Sequence, residues 1–306
     1  MGVGDSQLGV REAYEACERA ARAHYENFPV ASWLLPAAMR RHVAALYAFA
    51  RAADDFADEG NLPAAERLRL LDGWQRRLHE APHSTSPGAA PRPGEPAETP
   101  NIFLALGESI RSLSLPVKYF DALLSAFRQD VTVTRYPTWD DMMQYCQRSA
   151  NPVGRLVLRI AGYDNANLDA ASDAMCAALQ LTNFWQDLKV DFDRGRIYLP
   201  EDERARHGAL ERDLAAGTIT IGWQRALATA AARTRLLFDE GRYVCDGVHG
   251  RLRYELRATW LGGVRILDRL ESSCFDVVGR RPKLGAADAL LIAPLLLAWR
   301  PTAPLP

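Results

Sequence analysis

The chain has 306 residues, 48% hydrophobic and 25% charged, with 37 Lys+Arg against 38 Asp+Glu. That is ordinary globular composition, long enough to bury a large core and enclose a cavity. The even charge balance gives no electrostatic basis for binding nucleic acid. Five widely spaced cysteines without a CxxC argue against a disulfide framework or zinc site and suit a reducing cytoplasm.

The N-terminus shows no basic region followed by an apolar run, so no secretory signal is expected. No run of 18 apolar residues suggests a spanning helix. Hydrophobic periodicity predicts helices over 10–25, 37–58, 64–80, 101–112, 116–130, 138–149, 152–162 and 167–193. Further helices are expected over 201–206, 209–215, 219–248, 251–279 and 284–299. Asp246-Gly247 suits a helix end, while Gly262-Gly263 weakens the helix expected over 251–279. No alternating strand pattern is present. The reading is all-α, a single domain over 1–306. The stretch 82–100 holds six prolines and reads as a mobile surface loop. Residues 289–299 are apolar on all sides, interrupted by Pro294 and too short to cross a bilayer. They read as a buried core helix, with contact at a membrane interface as the alternative. The six histidines show no ligand-like spacing and read mostly as exposed.

Two helices carry polar stripes. Over 40–58, at about 100° per residue, Arg40, Tyr47, Arg51, Asp54 and Asp58 share a stripe about 60° wide. Their neighbours Val43, Leu46, Ala50 and Ala57 are apolar or small. Asp54 and Asp58 are an i, i+4 like-charge pair, unfavourable when desolvated, and Asp55 and Glu59 add negative charge. Over 180–200, Gln180, Asn183, Asp187 and Asp191 span roughly 80° among Leu181, Phe184, Trp185 and Leu188. Gly195 supplies a helix stop. One acidic pair reads equally well as a solvated helix end satisfied by Arg51. Two pairs of the same spacing on apolar helices point to a shared cause, and hard divalent cations supply one. Mg²⁺ takes carboxylate oxygens and is completed by water and substrate phosphates. With the two helices facing, a diphosphate would bridge the metal cluster, and Arg40 and Arg51 would contact its oxygens. There is no P-loop, no GxGxxG, no G-x-S-x-G and no HExxH.

The segments AALYAFARAADDFADEG and QLTNFWQDLKVDFDRGRIYLP resemble the squalene/phytoene synthase family, and the resemblance runs from about Ala23 to Asp276. It implies an all-α isoprenoid synthase fold around a central cavity, binding prenyl diphosphates through Mg²⁺ at two acidic motifs. Carried over, the motifs fall on Asp54, Asp55 and Asp58, and on Asp187 and Asp191. Gln180 and Asn183 match polar residues beside the second motif, and Asn183 joins the implied metal set. Tyr47, Arg51 and Tyr145 also match family positions.

Within the family, ENFPVASWLLP at 26–36, YCQRSANPVGRLVL at 145–158 and NFWQD at 183–187 look like the branch that makes hydroxysqualene in hopanoid-type squalene biosynthesis. The family's usual Arg before the first Asp of the second motif is Gln186 here, which fits a substrate with one diphosphate. The implied reaction turns presqualene diphosphate and water into hydroxysqualene and diphosphate, with no hydride donor. Phe28, Tyr47, Phe49, Tyr145 and Phe184 are aromatic candidates for holding cationic carbon. Asn151 or Gln186 is the candidate for positioning the quenching water. The rivals are head-to-head condensation to presqualene diphosphate or phytoene and, from another class, a non-catalytic scaffold of this fold. The expected location is the cytoplasm, with transient contact at the inner face of the cell membrane.

Overall fold

The protein is seen in a computed structural model that describes residues 3–23, 34–58, 62–86, 88–279 and 281–301. Every regular element among them is helical, beyond one isolated bridge between Arg135 and Ile197. The helices are α1 (Val3–Ala23), α2 (Ala37–Asp58), α3 (Ala64–Glu80), α4 (Thr99–Leu113), α5 (Val117–Asp130), α6 (Trp139–Ser149) and α7 (Asn151–Ile160). They continue as α8 (Ala166–Asp193), α9 (Glu201–His207), α10 (Glu211–Ala215), α11 (Ile221–Gly241), α12 (Val244–Gly247), α13 (Gly250–Ser272) and α14 (Ala286–Leu297). The chain divides into two compact units, residues 1–132 with 155–164, and residues 133–154 with 165–306.

In the first unit the apolar side of α2 is fixed by an aromatic cluster. Trp74 of α3 lies 5.2 Å from Phe56 and 4.5 Å from Phe103 of α4, between ring centroids. Its indole N–H donates to the Phe49 carbonyl at 3.2 Å, and Phe49 meets Phe120 of α5 edge-on at 5.5 Å. Large rings supply most of the burial here, and their edge-to-face contacts add orientation. They leave α2 one side on which polar groups can sit. His42 is a buried histidine: its Nδ1 and the Tyr14 hydroxyl each lie 2.9 Å from Ser109 Oγ. Arg41 Nε donates to His42 Nε2 at 3.2 Å. Burial first, then Arg41, lowers its pKa to about 4, so the ring is neutral with its proton on Nδ1.

The proline-rich stretch is tied down by two arginines. Arg77 donates to the carbonyls of Ala89 and Ala90 and, through two nitrogens, to the Glu95 carboxylate at 3.2 and 2.9 Å. Arg111 donates to the Ser84 carbonyl at 2.5 Å. Composition shows the prolines but not these anchors.

In the second unit α8 is the spine. Its start is capped by Asn165, whose side-chain oxygen accepts from Asn167 and Leu168 N–H at 2.9 and 3.1 Å. Its end is released by Gly195 at φ +86°, as the sequence predicts. α11 packs along it, with Trp185 donating to Thr234 Oγ1 at 2.9 Å. Three expectations need correction. The predicted helix over 219–248 is two helices, α11 and α12. α13 runs unbroken through Gly262-Gly263 and stops at Ser272. Gly263 is there for packing, since a Cβ on it would come within 2.6 Å of Phe238 and 2.7 Å of Leu179. Third, α14 is not a buried core helix. Among its residues Asp288 alone is buried, and the helix continues through Pro294.

Candidate active site

The acidic stripe of α2 is real. Between His42 and Asp58 only Tyr47, Ala50, Arg51, Asp54, Asp55 and Asp58 escape full burial. The helix therefore opens a single edge, and polar residues fill it. Arg51 lies between two carboxylates, 2.7 Å from Asp55 and 3.6 Å from Asp54. Asp58 ends the helix one turn beyond Asp54. Arg40 is half-buried and spends its Nε on the Leu35 carbonyl at 3.0 Å. Tyr47 sits one turn before Arg51. Burial raises its pKa, Arg51 opposes this, and Asp55 and Asp54 add to it, so the phenol keeps its proton and can donate. Phe28 lies outside the described residues.

On α8, Gln180, Asn183, Asp187 and Asp191 are all half-buried, beside the buried Leu181, Phe184, Trp185 and Leu188. Asn183 Nδ2 donates to Asp187 Oδ2 at 2.8 Å. The other partner of Asp187 was not foreseen. Arg281 grips the same carboxylate through Nε and a terminal nitrogen, the latter at 2.9 Å from Oδ2. The next residue is held too, for Gln186 Nε2 donates to the Pro282 carbonyl at 2.5 Å. The segment after α13 is thus pinned to consecutive residues of α8.

Tyr145 of α6 is buried in an aromatic group. Its ring centroid lies 6.2 Å from Phe184, 6.0 Å from Tyr198 and 5.4 Å from Tyr136. Phe184 and Tyr198 stack at 3.7 Å with planes 8° apart. The sequence singles out Tyr145 and Phe184 as aromatic candidates and carries Tyr198 only as part of the second motif, while nothing in it points to Tyr136. Asn151 opens α7 and is buried. Its amide nitrogen donates to the Cys146 and Asp173 carbonyls at 3.3 and 3.1 Å. Close behind, Gly154 faces α8, where a Cβ would collide with Ser172 Oγ and Cys176 Sγ.

Among the described residues no three His, Cys, Asp or Glu side chains converge into a closed metal cage. The donors present are open carboxylate pairs one turn apart, with the Asn183 amide beside the second. Such sets fit Mg²⁺, which binds one or two carboxylates and takes its remaining ligands from water and phosphate. A recess of about 700 Å³ bordered by Asp72, Gln75, Arg76, His79 and His83 contains none of the predicted residues. It is an open surface feature whose Asp72 is paired with Arg128 at 2.9 Å.

Comparison with known proteins adds an independent measure. The family described as Squalene/phytoene synthase matches residues 21–288. Hydroxysqualene synthase of Sinorhizobium fredii is 35% identical over 276 residues, covering 89% of this chain and 88% of that protein. Hydroxysqualene synthase of Rhodopseudomonas palustris is 36% identical over 226 residues, covering 73% and 72%. The crystal structure of squalene synthase HpnC from Alicyclobacillus acidocaldarius matches with a TM-score of 0.77 and 38% identity, over 88% of this chain and 96% of that one.

Proposed function

The chain belongs to the squalene/phytoene synthase family, and from that premise we propose that it converts presqualene diphosphate and water into hydroxysqualene and diphosphate. The observation that carries this reading is the polar edge of α8. There Asn183, Asp187 and Asp191 follow the family pattern, and Gln186 stands in place of the cation expected for holding two diphosphates. The two relatives named hydroxysqualene synthase, at 35% and 36% identity, support it.

In this reading Asp54, Asp55 and Asp58 on α2 would hold Mg²⁺, and so would Asp187 and Asp191 with Asn183 on α8. When bound, the metal would neutralise the departing diphosphate. The chain's own groups do the rest. Arg51 and Arg40 contact diphosphate oxygens, and Tyr47 donates its phenolic proton to the same group. Gln180 orients the substrate beside the second motif. Tyr145 and Phe184, joined by Tyr136 and Tyr198, present ring faces that stabilise cationic carbon after the C–O bond breaks. A water then adds its oxygen to the rearranged cation and loses a proton, which balances the reaction without a reductant. Asn151 and Gln186 are the candidates for holding that water through their amide oxygens, since their nitrogens donate to backbone carbonyls.

The test is mass analysis of products from purified protein with Mg²⁺, offered presqualene diphosphate and farnesyl diphosphate separately. A C30 alcohol from presqualene diphosphate alone is the expected result. Presqualene diphosphate accumulating from farnesyl diphosphate would refute the branch and leave the family standing.

A further inference from the structure

The last helix presents the molecule's most unusual surface. Leu290 is 77% exposed and Leu297 86%, with Leu291 and Leu295 more than half exposed. At about 100° per residue the exposed arc runs from Leu297 through Leu290, Pro294, Ala287 and Leu291 to Leu295, about 160° without a charge. Apolar surface this continuous on a folded chain marks a contact.

The helix is not loosely attached. At its start, Asp288 is 1% exposed and accepts from Arg265 Nε at 3.1 Å, Arg269 at 2.8 Å and the Gly285 N–H at 2.7 Å. Beyond its end, Trp299 donates to Asp246 at 2.8 Å and lies under the Arg242 guanidinium, 4.5 Å away. Arg242 also donates to the Arg300 carbonyl at 2.8 Å. The polar residues are spent on fixing the helix with its leucines outward.

The exposed charges that flank the arc are Lys283 before it and Arg300 after it, while the one acid of the helix is buried and paired. Two copies of this face would bring cation against cation, whether the helices ran parallel or antiparallel. An anionic layer with an apolar interior complements both features. Twelve residues make about 18 Å of helix, far short of a bilayer's hydrocarbon thickness. No described helix is long and apolar enough to cross a membrane.

We propose that α14 lies in the plane of an anionic lipid surface, its leucines among the acyl chains and Lys283 and Arg300 at the headgroups. The full chain is floated with vesicles of phosphatidylcholine containing phosphatidylglycerol, and with phosphatidylcholine alone, without substrate. The outcome is therefore independent of the reaction proposed above. The wild type should float with the mixed vesicles and release at high salt. Lys283→Gln with Arg300→Gln should weaken binding about fivefold per charge. Leu290→Ser, Leu291→Ser and Leu297→Ser together should abolish it while leaving the thermal melt unchanged. Wild type that stays unbound, or binds neutral vesicles equally well, would overturn the proposal. So would a dimer in sedimentation that the leucine substitutions dissolve.

Discussion

Replacing Arg281 tests the α8 half of the site most directly. In the structure its guanidinium holds both oxygens of Asp187, whose side chain is only 15% exposed. A metal that uses Asp187 must displace this fork. A charge-assisted pair that is mostly buried but still reached by solvent is worth about 1–2 kcal/mol. Arg281→Met should therefore tighten Mg²⁺ binding to the substrate-free protein about 5- to 30-fold, the same energy expressed as an affinity ratio. Arg281→Lys keeps the charge but loses the planar fork, and should fall between. Asp187→Asn should weaken binding in either background. The assay is calorimetric titration with Mg²⁺, or displacement of Mn²⁺ followed by its magnetic resonance signal. An unchanged or weaker Mg²⁺ affinity in Arg281→Met would refute the reasoning: either Asp187 does not take the metal, or Arg281 does not compete for it.

Three further outcomes follow from the packing. His42 is neutral in the fold with a pKa of about 4, while an unfolded chain takes up its proton near pH 6.5. Its contribution is complete above pH 6.5 and lost as pH falls toward 4, about 2 kcal/mol between pH 7 and pH 5. Urea unfolding at the two pH values should show it, and His42→Gln should flatten that part of the slope. Glu95→Ala strands the buried Arg77 guanidinium and should cost about 3 kcal/mol, with Glu95→Gln recovering part. An unaltered denaturation midpoint would show that the loop is not anchored there. Gly154→Ala should cost about 1–3 kcal/mol through overpacking, and Ser172→Ala in the same chain should restore much of it. No rescue in the thermal melt would place the conflict elsewhere.

The helical architecture was legible because burial imposes a 3.6-residue period on each segment. The stripes on α2 and α8 were legible for the converse reason: carboxylates on an otherwise apolar helix violate that period. Arg281 was not, because its partner is 94 residues away and an isolated arginine looks like ordinary surface. The stacking role of Tyr198 was hidden in the same way, since it sits in a short connector whose packing only the fold determines. α14 shows the limit most clearly. Hydrophobicity on all sides implies burial only if another element covers the helix, and coverage is a tertiary fact. Glycine weakens an isolated helix, yet the helix expected through Gly262-Gly263 forms, because Gly263 admits Phe238 and Leu179 at close range.

The placing of Asn183, Phe184 and Asp187 within little more than one turn of one α-helix has a consequence for how this protein can change. Phe184 stacks on Tyr198, and Asp187 follows three residues later on the same rigid rod. Their mutual angle is a property of counting along the chain, untouched by loop motion or by side-chain size. One residue gained or lost between them would turn the carboxylates by about 100° relative to the ring. Variation can reach this segment by exchanging side chains, whereas its length is closed to it.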